Sequence, residues 1–297
     1  MKPDVREFYD TIGWSQVDDG GEAGPRYQNA RYEDLRPVSQ AYIRMCHLRV
    51  NRHLAPAGRF FLDAGSGPIQ YEEYLAYSLG YDYRVCADMS ITALKEAREK
   101  IGGHGLFVVA DIAELPFKKE AFDGVVTLHT IHHLPAEEHL GAYRALHRIL
   151  APGRTAVVVN GWSASALMDP FRAFSRFRKR AWLFLRRLLG RSKIEDRRLV
   201  LSEGEGSKTE YPEVKSTFVE KDNPRWFKRT VQKEMDAEIL VWRSASVHFM
   251  KNYIFENRGG KRILDWLYRL EERWPRFFGE KGTYPLIVIR KRKQVNR

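Results

Sequence analysis

Between Arg59 and Trp162 the apolar positions follow two rhythms that take turns along the chain. Short β-rich runs, "RFFLDAG", "YDYRVCADMS", "GLFVVADI", "FDGVVTLHTI" and "RTAVVVNGW", read as strands. The text between them has helical spacing. "YEEYLAYSLG" predicts a short helix closed by Gly80, and Ser90 stands where it would cap "ITALKEAREKIGG". "PAEEHLGAYRALHRIL" predicts a helix with Pro135 near its start, ended by Pro152 and Gly153 ahead of the fifth strand. Strands and helices in alternation predict an α/β fold with a doubly wound, mostly parallel sheet.

Outside this stretch the pattern is mainly helical. "DVREFYDTIGW" and "DLRPVSQAYIRMCHLRVNRHL" predict N-terminal helices joined by the Gly-rich turn "DDGGEAGP". Helical, charged text runs from the fifth strand to about Lys233. "AEILVWRS" and "YPLIVIRKR" then predict two further strands, separated by the amphipathic helix "GKRILDWLYRLEERW". The expected organisation is a helical lid over residues 1–58, a core over 59–162, a helical basic cap insertion over 163–233, and a segment 234–297 that completes a seven-stranded sheet. The polar stretch "LSEGEGSKTEYPEVKS" predicts a mobile surface loop.

Composition narrows the class. A chain of 297 residues with 43% hydrophobic content can bury a sizeable core. No run of 18 apolar residues is present, and "MKPDVREFYD" lacks a secretory apolar stretch, so a cytoplasmic location is expected. Cys46 and Cys86 lie far apart without metal-ligand spacing, which argues against a disulfide framework or a structural zinc site. The net charge of +12 is unevenly placed. Residues 1–160 carry 18 Lys+Arg against 21 Asp+Glu, and the remainder carries 32 against 17. The second half therefore faces something anionic, with a membrane surface, nucleic acid or an acidic substrate as the candidates.

The candidate chemistry begins at "FLDAGSGPIQ", a strand that runs into a glycine-bearing turn able to present backbone N–H groups to a ligand. A dinucleotide fingerprint wants a third glycine where Gln70 stands, which weakens a nicotinamide reading. Asp88, 23 residues after Gly65, ends the next strand, where a carboxylate can bind both ribose hydroxyls. Asp111 ends a third strand. Taken in order, these elements resemble a class I S-adenosylmethionine-dependent methyltransferase of the small-molecule, type 11-like kind, from about Phe60 to Trp162.

The resemblance implies the Rossmann-like methyltransferase fold and S-adenosyl-L-methionine as cofactor. It places the turn Asp63, Ala64, Gly65, Ser66, Gly67 by the methionine part, Asp88 at the ribose, and Asp111 at the adenine amino group with Met89 and Ile112 flanking the ring. "FDGVVTLHTIHHLP" and "ILAPGRTAVVV" match the family's fourth strand and its turn into the fifth. The chain departs from the family at Ile69, where a third glycine is usual, and Pro68 is left to hold the turn.

Methyl transfer to a hydroxyl needs alignment, exclusion of water and removal of a proton. "LHTIHHLP" lies at a strand exit, where that chemistry would sit. His132 and His133 are the candidate bases, with packing beside the cofactor or helix capping as the alternative role. His129 is a candidate cofactor-pocket wall. A metal is not expected, since "HTIHH" has no carboxylate or thiol nearby. Tyr9 and Trp14 are candidates for a lid over the cofactor, with ordinary core packing the alternative, and Trp162 is a candidate for facing the acceptor.

The last signal is "FRAFSRFRKRAWLFLRRLLGR", residues 171–191. On a helix, Phe171, Phe174, Phe177, Ala181, Leu185, Leu188 and Leu189 share one face. Arg172, Arg176, Lys179, Arg180, Arg186 and Arg187 share the other, with Arg178 and Leu183 as exceptions. The preferred reading is a cap helix that packs its apolar face on the core; the rival is a helix lying on an anionic membrane surface. Nucleic acid ranks third, because "LHTIHHLP" replaces the Asn/Asp-Pro-Pro-aromatic motif of enzymes that methylate exocyclic base nitrogens. The expected activity is methyl transfer to oxygen of a small-molecule or lipid-type acceptor. The alternatives are an RNA methyltransferase, or a non-catalytic membrane or nucleic-acid adaptor with the same fold. The oligomeric state is not legible in the sequence.

Overall fold

A computed structural model of the chain describes residues 3–14, 16–17, 26–27, 33–188 and 218–293. The expected Gly-rich turn and the whole of the expected surface-loop segment lie outside these residues. Seven strands form one sheet: β1 (Gly58–Ala64), β2 (Tyr81–Asp88), β3 (Gly105–Val109), β4 (Phe122–Leu128), β5 (Leu150–Val159), β6 (Asp236–Arg243) and β7 (Tyr284–Arg290). Their spatial order is β3-β2-β1-β4-β5-β7-β6. The first five run parallel, with Leu62 opposite both Val85 and Val125, and β7 inserts antiparallel between β5 and β6. This is the expected fold.

The helices are α1 (Pro3–Phe8), which continues as a π-helical turn over Tyr9–Gly13, α2 (Pro37–Leu48), α3 (Ile91–Ile101), α4 (Ala136–Ile149), α5 (Asp169–Leu188), α6 (Pro224–Arg229), α7 (Val231–Glu234), α8 (Val247–Tyr253), α9 (Gly260–Arg273) and α10 (Pro275–Lys281). Ser90 caps α3 as expected, its hydroxyl accepting from the Ala93 N–H at 3.1 Å. Because strand side chains alternate, each face of the sheet carries its own core. Leu62, Val125, Ala156 and Ile287 pack with Ala142, Leu146 and Ile149 of α4; Phe61, Cys86, Val126 and Val288 pack with Tyr74, Tyr77, Leu94 and Ala97. Both cysteines are free and buried.

Two local expectations change. Pro152 and Gly153 do not separate helix from strand; α4 ends at Ile149 and β5 already begins at Leu150. The pair instead forms an irregularity inside β5, where the register against β4 shifts between Phe122 and Gly124. Gly153 adopts φ +78°, open to glycine, and its N–H reaches the Lys291 carbonyl at 2.7 Å. The second change concerns α2. It packs through Val38, Tyr42, Ile43 and Cys46 on Met250, Ile254 and Leu264, and the described N-terminal residues that line the cavity are Arg6, Phe8, Tyr9, Trp14 and Glu33, which precede it.

Candidate functional site

A parallel sheet whose neighbouring strands β1 and β4 lead to opposite faces leaves a crevice at their C-terminal ends. Here that crevice is a cavity of about 800 Å³, lined at the β1, β2 and β4 exits by Asp63, Gly65, Ser66, Asp88, Met89, His129, Thr130, His132 and His133. Gly65 (φ +74°) and Gly67 (φ +54°) hold the β1 turn open. A Cβ at Gly65 would lie 2.4 Å from the Thr130 side chain, and one at Gly67 would lie 2.8 Å from the Trp14 indole. Both positions therefore require glycine.

The Asp88 carboxylate ties the turn to β2. It accepts from the Gly67 N–H at 2.8 Å and from the Ser90 N–H at 2.9 Å. Burial pushes its carboxyl up to about 6 against the pull of these two bonds. Each oxygen keeps a second lone pair, and the residue lines the cavity, so it can accept from two further hydroxyls. Asp111 caps the 3₁₀ turn Ile112–Glu114 through Oδ1, which accepts from the Ala113 N–H at 2.9 Å, and its other oxygen remains an acceptor. Asp111, Ile112 and Met89 all line the cavity. This donor and acceptor set fits a nucleoside with a vicinal diol and an exocyclic amine.

Not every expected contact is on the wall. Ala64 is fully buried in the core beside Leu62, and Gly67 is covered by Trp14, so neither lines the cavity. Asp63 does line it, but it is ion-paired to the buried Arg84 guanidinium, which also donates to the Tyr74 carbonyl at 2.6 Å. Its role is to brace β1 against β2. Trp162 does not face the cavity: it is buried against Phe227 and its Nε1 donates to the Gly279 carbonyl at 2.7 Å.

The N-terminal segment closes one side. Tyr9 and Trp14 stack at 5.3 Å and both line the cavity. Asp10 accepts from the Ser90 hydroxyl at the start of α3, which pins the segment to the β2 exit.

The three histidines are differently engaged. His129 has φ +55° and packs edge-on against Trp242 at 5.0 Å and Tyr284 at 5.6 Å. Burial drives its pKa down to about 3, and Arg243 lowers it further. Its ring is a neutral wall. His133 donates from Nδ1 to the Phe218 carbonyl at 3.0 Å, so its Nε2 accepts the Tyr9 hydroxyl proton at 2.9 Å. Both of its ring nitrogens are occupied. His132 donates from Nδ1 to Asn160 Oδ1 at 3.0 Å, which makes Nε2 the nitrogen with the lone pair. Burial, and then the neighbouring His133 and His129, hold the His132 pKa well below the ordinary value, so this ring too stays neutral.

Other wall residues carry no local signal in the sequence. Thr130 fits against Gly65; Trp242, Arg243 and Tyr284 come from the last two strands; Lys221 comes from the later part of the basic insertion. Arg243 is ion-paired to the buried Glu33. Its guanidinium lies 4.6 Å from the centre of the Tyr284 ring. These groups meet because β7 pairs with β5, a long-range event that periodicity does not reveal.

The site can now be set beside known proteins. Residues 62–158 match a family model described as a methyltransferase domain. Over 156 residues the chain is 29% identical to Methyltransferase GfsG of Streptomyces halstedii, a match covering 48% of this chain and 55% of that protein. The chain thus spans about half the length of that curated relative. Among solved structures, phosphoethanolamine N-methyltransferase 2 of Haemonchus contortus, in complex with S-adenosyl-L-methionine, is similar in fold with a TM-score of 0.50 and 13% identity, over 97% of this chain and 60% of that one. A putative S-adenosyl-L-methionine-dependent methyltransferase of Methanococcus maripaludis aligns over 86% of this chain and 88% of that one, with a TM-score of 0.43 and 16% identity.

Proposed function

Since the chain belongs, through residues 62–158, to the class I S-adenosylmethionine-dependent methyltransferases, whose cofactor is S-adenosylmethionine, we propose that the protein methylates a hydroxyl oxygen of a small-molecule or lipid-type acceptor on the cytoplasmic side. The observation that carries the choice of oxygen is His132. A neutral imidazole on the cavity wall, oriented by Asn160 and with Nε2 unprotonated, is a base ready to take a hydroxyl proton.

When bound, the cofactor would supply a sulfonium methyl group for in-line transfer to the acceptor oxygen, with the neutral thioether as leaving group. The protein's own residues do the rest. Asp88 would accept from the ribose hydroxyls and Asp111 from the adenine amino group, with Met89 and Ile112 against the ring. Gly65 and Ser66, whose N–H groups both donate to the Ala87 carbonyl, would leave room for the amino-acid end, and Tyr9 and Trp14 would keep water out. His133 fixes Tyr9 through the hydroxyl bond, so it positions the lid while His132 takes the proton. Trp242, Tyr284, Tyr71 and Tyr74 give the far end of the cavity an aromatic wall suited to an apolar or aromatic acceptor body.

The reading is tested by a methylation screen against hydroxylated acceptors, read by mass spectrometry. The expected product carries an O-methyl group, and His132→Gln lowers kcat by about 10²- to 10⁴-fold while the cofactor Kd stays unchanged. Methyl transfer to nitrogen or carbon, or an unaffected His132→Gln variant, would sink it.

A further inference from the structure

α5 differs from every other long helix in the described structure in what its apolar face touches. Its first turn is anchored: Phe171 packs edge-on against Phe249 at 4.8 Å and Tyr253 at 5.4 Å. The Tyr253 hydroxyl donates to the Phe171 carbonyl at 2.8 Å and therefore accepts from Ser175 Oγ at 2.7 Å. Beyond that turn the described phenylalanines of the apolar face are not covered. Phe174 is 55% exposed, Phe177 68% and Phe184 63%. The expected packing of this face on the core is therefore corrected. α5 meets the body at α8, and the spacing that puts the phenylalanines on one side turns most of them away from it.

The other face is cationic. Arg172, Arg176 and Arg180 are exposed and have no carboxylate partner among the described residues, and Arg178 adds a fourth such charge at the boundary between the faces. After Asp169 the helix holds no acid. A water-exposed aromatic stripe beside a stripe of unpaired arginines is suited to an anionic lipid surface: the rings enter the acyl boundary and the guanidinium groups meet headgroup phosphates. A nucleic-acid duplex would satisfy the arginines and leave Phe174, Phe177 and Phe184 in water. No helix among the described residues is long and apolar enough to cross a membrane.

The placement of the helix adds a second observation. α8 carries Val247 on the cavity wall, and the start of α5 rests on α8. Lys221, another wall residue, has its pKa lowered by burial and by nearby Arg172. Phe218 and Val219 also line the cavity and are 45% and 47% exposed, which makes its mouth apolar. The start of α5 is thus one helix removed from the cavity wall.

We propose that the exposed aromatic and arginine faces of α5 dock the protein on an anionic bilayer surface, with the cavity mouth beside the lipid, so that the acceptor enters from the membrane. Docking itself does not depend on the methyl-transfer reading; the entry of the acceptor does.

The experiment is co-sedimentation of the full chain with phosphatidylcholine vesicles with and without phosphatidylglycerol, alongside calorimetry of S-adenosylmethionine binding. Binding to the anionic vesicles is expected, with a residual part surviving about 1 M salt, where the screening length is ~3 Å. Phe174→Glu/Phe177→Glu is expected to weaken vesicle binding at least ~10-fold with unchanged Tm and cofactor Kd, because both side chains are already in water. Arg176→Glu/Arg180→Glu is expected to abolish the preference for anionic vesicles. Absence of vesicle binding by the parent chain overturns the proposal. So does vesicle binding that the phenylalanine variant retains in full, or binding lost completely at high salt and matched by RNA. A failure of methyl transfer with vesicle binding intact would fall on the proposed function alone.

Discussion

Ile69 stands where a third glycine is usual in related turns, and the structure places it at φ +53°, a conformation that costs a β-branched residue about 1–2 kcal/mol. It is compensated by burial: the side chain is 2% exposed in the cluster with Val50, Tyr74 and Leu94. Ile69→Gly relieves the strain but removes a buried side chain whose loss costs ~2–5 kcal/mol. The expected net loss is about 1–3 kcal/mol, read as a lower denaturant midpoint. A stabilised variant would mean that strain dominates. At Asp88 the sign of the pH effect follows from a carboxyl raised from 3.8 to about 6. Between those values the folded chain holds the extra proton, so this group's contribution to stability falls as pH rises through the window. Cofactor binding runs the other way, since only the carboxylate accepts from two hydroxyls. Affinity measured by calorimetry is expected to weaken below about pH 6, toward tenfold per pH unit, and to be flat and ~10- to 100-fold weaker in Asp88→Asn.

At the scale of elements, most boundaries were legible because they obey local rules. Ser90 caps α3, and "FFLDA" and "RVCAD" become β1 and β2 with the expected acids at or near their ends. The end of α4 was not legible, since Pro152 and Gly153 signal a break and only the sheet shows that they sit inside β5. The joint between distant elements was invisible as well. Glu271 of α9 is fully buried, accepts from Tyr42 of α2 at 2.7 Å and from the Ser244 N–H at 2.8 Å, and pairs with Arg49 at 2.8 Å. Arg49 in turn donates to the Trp242 carbonyl at 2.6 Å. Removing Glu271 leaves Arg49 with only the partly exposed Glu272, 2.8 Å from Nε, and leaves the Tyr42 and Ser244 donors without their acceptor, so Glu271→Ala is expected to destabilise by up to about 3–5 kcal/mol in chemical denaturation. A loss below ~1 kcal/mol would show that Glu272 and water suffice for Arg49.

For the whole molecule, the cavity is an assembly of remote stretches: the N-terminal segment from Arg6 to Trp14, Glu33, the exits of β1 to β4, the segment from Phe218, the β6–β7 pair and Val247 of α8. The N-terminal piece is held at the site by contacts that include Asp10 on Ser90, Tyr9 on His133 and Trp14 over Gly67. Trp14→Ala is therefore expected to speed cofactor release at least ~10-fold in stopped-flow measurements, while Tm changes little. An unchanged release rate would make Trp14 a simple core residue.

What the sequence by itself determined is what depends on neighbours along the chain: the alternation that makes a parallel sheet, the glycines at the β1 turn, the acids that end successive strands, and the two faces of α5. Each is set by backbone conformation or side-chain periodicity within about a dozen residues. Tertiary structure alone decided the rest. It moved Ala64 and Trp162 off the cavity, occupied both nitrogens of His133 and one of His132, brought Trp242 and Tyr284 to the far wall, and left Phe174, Phe177 and Phe184 in water. The physical reason is the same in each case: a side chain's role depends on what lies across from it, and that partner is chosen by sheet order and packing.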